Sequence, residues 1–95
     1  MKIKHTKLTA SGSAVSNGAD LRGMLVGTDG TNDPTITVYD NTAASGNEVI
    51  PTVTYNSSIN GLNGVTLPGD GIRCENGVYV AITCSGNVEV TIYYT

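Results

Sequence analysis

The sequence predicts an all-β fold: a single antiparallel β-sandwich, jelly-roll or Greek-key like, of seven to nine short strands. Three observations predict it. No window carries apolar residues at i, i+3, i+4 and i+7 over three turns, so no amphipathic helix is expected. Turn dipeptides are dense: Asn-Gly at 17–18, 60–61, 63–64 and 76–77, and Asp-Gly at 29–30 and 70–71. Between them run short segments rich in Val, Ile, Thr and Tyr, residues that fit a pleated, half-buried surface. The 95 residues make one domain, 1–95. Phe and Trp are absent, so the core is built from Val, Ile, Leu and Tyr.

In chain order the strands are expected at Ile3 to Thr9, Asp20 to Thr28, Thr35 to Tyr39, Glu48 to Tyr55, Gly64 to Leu67, and three more between Gly71 and Tyr94. Residues 10–19 are small, and read as a flexible loop or arm. The strand from Asp20 is apolar on both faces, with Leu21 and Leu25 on one and Met24 and Val26 on the other. Such a strand is central or is covered by a neighbouring chain. Pro51 marks an edge or a bulge, because proline cannot donate to a sheet ladder.

The last three strands read as a meander. Asn76-Gly77 and Ser85-Gly86-Asn87 have the composition of hairpin turns. Three-residue loops put Cys74 opposite Val78 and Cys84 opposite Val88, which gathers Ile72, Cys74, Val78, Val80, Ile82, Cys84, Val88, Val90, Ile92 and Tyr94 on one side. Both cysteines are then buried but about 20 Å apart, at the two ends of one strand. That is too far for a disulfide or for a shared zinc ion. The same registers align Arg73, Tyr79 and Tyr93 in a row on the outer face. Arginine and tyrosine are enriched where proteins touch, so this row is either a local cross-strand ladder or a protein-contact patch.

Charge and motifs narrow the function. The net charge is −3, but Lys2, Lys4 and Lys7 place +3 in the first seven residues and the remainder carries −6. The lysines suit an edge strand kept from aggregating, or an edge that docks on an acidic surface. An acidic domain with no basic stripe is not expected to bind nucleic acid specifically. No apolar run reaches the length of a membrane span or a secretory leader, so the chain is expected in the cytoplasm where it is made, and no membrane is expected as a partner. His5 has no nucleophile or carboxylate close in sequence and reads as a surface residue. The Asp29-Gly30-Thr31-Asn32-Asp33-Pro34 segment lacks the spacing of a calcium loop. It reads as a hairpin turn whose Asp and Asn bond their own backbone. No catalytic residue, cofactor or metal is therefore expected.

Several segments in order resemble small bacteriophage virion proteins of the capsid decoration or cement type. They are Met24-Leu25-Val26-Gly27-Thr28, Thr35-Ile36-Thr37-Val38-Tyr39-Asp40-Asn41-Thr42 with Gly46, Leu67-Pro68-Gly69-Asp70-Gly71-Ile72, Asn76-Gly77-Val78-Tyr79-Val80, and Gly86-Asn87-Val88-Glu89-Val90-Thr91-Ile92-Tyr93-Tyr94. The likeness spans residues 21–95. It implies a non-enzymatic sandwich module that decorates a phage head, with the major capsid protein or other virion subunits as partners, in a homo-oligomer or high-copy assembly within the virion. A tail, neck or fibre component is the alternative. A carbohydrate-binding host-recognition module is a third, which the absence of Trp disfavours. No residue-level site carries over, because the shared residues are turns and core.

Overall fold

The computed structural model of the chain describes residues 2–58, 62–67 and 69–95. The Asn60-Gly61 turn signal and Pro68 lie outside the described residues. Nine strands form among those described: β1 (Lys4–Leu8), β2 (Gly12–Val15), β3 (Ala19–Thr28), β4 (Thr35–Tyr39), β5 (Glu48–Thr54), β6 (Leu62–Thr66), β7 (Ile72–Cys74), β8 (Val78–Thr83) and β9 (Val88–Tyr94). They build the expected sandwich from two antiparallel sheets. Sheet A runs β1-β9-β3-β6 and sheet B runs β2-β8-β4-β5. The fifth strand of sheet A, β7, also pairs with β3. One side of the long β3 is thus taken end to end by β7, opposite Ala19–Leu21, and β6, opposite Gly23–Gly27. Its other side pairs with β9.

The pairing is nested. β1 meets β9, β2 meets β8, β3 meets β6 and β7, and β4 meets β5. Successive pairs alternate between the sheets, which is the winding of a jelly roll. The core lies between the sheets and contains Leu21, Met24, Val26, Ile36, Val38, Ile50, Val78, Val80, Val90 and Ile92. Each such side chain contributes about 1.5–3 kcal/mol when fully buried.

Residues 71–94 do not form the expected meander. β7 and β9 belong to sheet A, while β8 lies in sheet B. The segments around Asn76-Gly77 and Ser85-Gly86-Asn87 therefore carry the chain across the core rather than back along the same sheet. Asn76 donates its backbone N–H to Asp40 Oδ1 at 2.9 Å, which pins the first crossing to the end of β4. The inward alternation nevertheless persists: Cys74, Val78, Val80, Val88, Val90 and Ile92 are all buried. Ile72 is the departure, 37% exposed.

Residues 10–19 are not a flexible loop or arm throughout. Gly12–Val15 is strand β2 on the edge of sheet B, and Ala19 is already buried at the start of β3. β2 lies alongside β8, and Ser11, just before β2, donates its Oγ to the Ile82 carbonyl and accepts the Ile82 N–H at 2.7 Å. Both expectations at Pro51 hold. β5 is an edge strand, and its register against β4 shifts between Ile36–Val53 and Val38–Ile50, leaving Pro51 and Thr52 opposite Thr37 alone. Proline sits where no ladder bond is lost.

The cysteines are free. Cys74 is opposite Ala19 at the start of β3. Cys84, half-buried rather than buried, contacts the Asn32 carbonyl beyond the end of β3 at 3.9 Å. A ten-residue strand separates the two positions.

Candidate functional site

The structure does not bring Arg73, Tyr79 and Tyr93 together. Arg73 is on β7 opposite Asp20. It forms exposed ion pairs with Glu75 at 3.3 Å and Asp20 at 3.5 Å. Tyr79 is on β8 between Ser13 and Tyr39, on the outer face of sheet B. Tyr93 is on β9 between His5 and Gly23, on the outer face of sheet A. The expected row depended on hairpins that do not exist, and its two tyrosines end up on opposite faces of the sandwich.

The two outer faces differ in chemistry. On sheet B, Thr35 and Thr37 of β4 lie beside Thr54 and Thr52 of β5, with hydroxyl–hydroxyl hydrogen bonds of 2.8 Å and 2.6 Å. Thr83 of β8 pairs with Thr35 on the other side. The hydroxyls of β4 and β5 satisfy one another across the strands, the usual stabilisation of a solvated sheet face.

Sheet A has a concave apolar outer face. A groove of about 320 Å³ is lined by Ile3, Arg22, Gly23, Met24, Leu25, Gly64, Val65 and Tyr93. Leu25 alternates with the buried Met24 and Val26, so it points outward, and it pairs with Gly64 on β6 and Thr91 on β9. The glycines form the floor: a Cβ at Gly64 would lie 3.2 Å from Leu25 Cδ1. Ile3, 54% exposed, stands at one wall and Tyr93 at another. Of the row read from sequence only Tyr93 belongs to this groove. Leu25 carried a signal, because it is the apolar residue out of phase with Met24 and Val26. Ile3, Gly23 and Gly64 carried none, since their meeting depends on β1, β3 and β6 sharing one sheet.

Basic residues stand at the rim of the groove. Arg22 lines it. His5, exposed on β1, is opposite Tyr93, and Lys7 is opposite Thr91, which is itself opposite Leu25. Lys7 is paired with Glu89 at 3.2 Å, with both side chains more than half exposed. Such a pair contributes little to stability in water.

The loops hold polar networks of structural character. Asp29 Oδ1 accepts the backbone N–H groups of Thr31 and Asn32, and Oδ2 accepts from Asn32 Nδ2 at 2.8 Å. Bonds from Asn32, from its backbone first and then its side chain, pull the Asp29 carboxyl down to about 2. Gly86 passes beneath this turn, where a Cβ would overlap Asp29 Oδ2 and Asn32 Nδ2. Asp33 Oδ1 accepts from the Ser57 hydroxyl and N–H, which holds its carboxyl below the ordinary carboxylate range. Segment 29–34 is self-bonded at Asp29 as expected, but it is not a hairpin: it carries the chain from sheet A to sheet B, and Asp33 bonds Ser57 instead of its own turn. Among the described residues no group of three or more His, Cys, Asp or Glu side chains is arranged to hold a metal ion.

No family profile, curated protein or solved structure matches the chain.

Proposed function

We propose that this chain is a non-enzymatic structural protein of a phage particle, a decoration or cement protein that binds the head in many copies through the outer face of sheet A. The observation that carries this reading is the groove formed by Ile3, Leu25 and Tyr93 over Gly23 and Gly64: a concave apolar surface on a rigid sheet. Apolar and aromatic side chains in a pocket are the usual centre of a protein contact. The jelly roll supports the reading only at the level of fold, because it occurs in viral capsid and lectin domains alike and a fold does not carry a function. The ordered likeness of residues 21–95 to virion decoration proteins supports it from the sequence. The major capsid protein is the partner, and the virion is the location.

The test is co-sedimentation of the purified chain with heads assembled without it. Saturable retention at many copies per head is the expected result. Tyr93→Ala weakens retention by about 1–3 kcal/mol, while Tyr79→Ala, on the other face, leaves it unchanged. Thermal melts of both free variants establish that they are folded. No retention of the native chain, or loss with Tyr79→Ala and not with Tyr93→Ala, overturns the assignment.

A further inference from the structure

We propose that the groove on sheet A takes one apolar side chain of a partner segment in which carboxylates flank that residue. This rests on the reading of that face as the contact surface and names the chemistry of what it contacts. The groove is at the small end of the volumes that ligand pockets occupy, so it accommodates a side chain rather than a large cofactor. Gly23 and Gly64 line it without side chains of their own, and the Leu25 side chain lies over Gly64.

The charge around it is mostly cationic: Arg22 lines the groove and Lys2 and Lys4 flank Ile3 in sequence, while Lys7 is matched by Glu89. Of the carboxylates nearby, Glu89 is held by Lys7, and Asp70 belongs to the turn whose carbonyl accepts from Arg22 at 3.3 Å. A second copy placed face to face would bring a second Arg22 and a second set of N-terminal lysines to the same groove, and juxtaposed like charges oppose such a complex. A heterologous segment bearing carboxylates meets the same rim with attraction. The partner is therefore an acidic, apolar-centred segment of another protein.

The test uses the full isotopically labelled chain and two blocked heptapeptides. One has a central leucine between glutamates, and the other the same leucine between glutamines. The glutamate peptide is expected to shift the amides of Gly23, Leu25, Gly64 and Tyr93, and to bind about tenfold more tightly than the glutamine peptide at low salt. That preference is lost at high salt. Arg22→Gln lowers affinity for the glutamate peptide only. Absence of shifts with both peptides, equal affinities, or shifts mapping to sheet B overturn the inference. So does a concentration-dependent dimer whose interface maps to Leu25 and Tyr93, which would assign the face to a second copy. A chain that binds the glutamate peptide yet is not retained on heads keeps this inference and defeats the virion reading. Retention without peptide preference does the opposite.

Discussion

Leu21 and Met24 both enter the core, although they stand three residues apart on one strand. A regular strand would send them to opposite faces. The register explains it: Leu21 is opposite Tyr94 and Gly23 is opposite Tyr93, so Arg22 is an extra residue, bulged out of the ladder. The bulge shifts the phase of β3 by one, burying Leu21 before it and Met24 and Val26 after it. Deleting Arg22 restores a regular ladder and turns one of these sets outward, and the chain is expected to lose its cooperative melt. Arg22→Ala keeps the bulge and is expected to cost under about 1 kcal/mol. Circular dichroism melts of the two variants check this; equal, small losses would contradict the bulge account.

The crossing at Gly77 is strained for any other residue. Its φ is 130°, and a Cβ there would overlap the Val15 carbonyl oxygen. Gly30 has a φ of 83° but open space around it. Gly30→Ala is therefore expected to cost about 1 kcal/mol, the strain of the left-handed conformation alone. Gly77→Ala is expected to cost roughly 1–3 kcal/mol or more, because strain and overlap combine. Urea denaturation of both variants gives the comparison, and similar losses would show that β2 yields to make room.

The Asp29 turn contributes to acid stability in a defined window. Its carboxyl sits at about 2 in the fold against an ordinary 3.8. A depressed carboxyl stabilises the fold fully above its unfolded value and loses that contribution as pH falls through its folded value. Asp29→Ala is expected to melt below the native chain at neutral pH, with the gap narrowing between about pH 4 and pH 2. A gap that does not change over that range would contradict the network described.

The cysteines are expected to separate by reactivity. Burial first, and Asp40 next, push the Cys74 thiol up to about 11, so at pH 8 it is almost entirely protonated as well as enclosed. The thiolate is the reactive form. Cys84 is half-buried at the rim of the sandwich. Mass spectrometry after brief alkylation of the native chain is expected to find label on Cys84 before Cys74, with Cys74 labelled only as the chain unfolds. Equal labelling rates would contradict the placement of Cys74 between the sheets.

The fold class was legible because short alternating segments between turn dipeptides have few other solutions. The partnering of the last three strands was not. Alternation states which side chains point inward, and in a sandwich the same residues point inward whether the next strand lies alongside or across the core. Asn76-Gly77 and Ser85-Gly86-Asn87 therefore read as hairpins while serving as corners. The groove was hidden for the same reason, since Ile3, Leu25 and Gly64 meet only once β1, β9, β3 and β6 are neighbours. Leu25 announced it by being apolar on the outer face, and Tyr93 by being an outward aromatic. The small residues at 10–19 concealed β2, whose strand is short and carries a register shift at Ala14.

The most direct test of the central claim is a cryo-electron microscopy reconstruction of the phage particle proposed to carry this chain. The account predicts many copies on the head, each with the outer face of sheet A against the shell, Tyr93 and Leu25 covered, and the threonines of sheet B facing solvent. Copies seated through sheet B, or a particle in which the chain is absent, would contradict it.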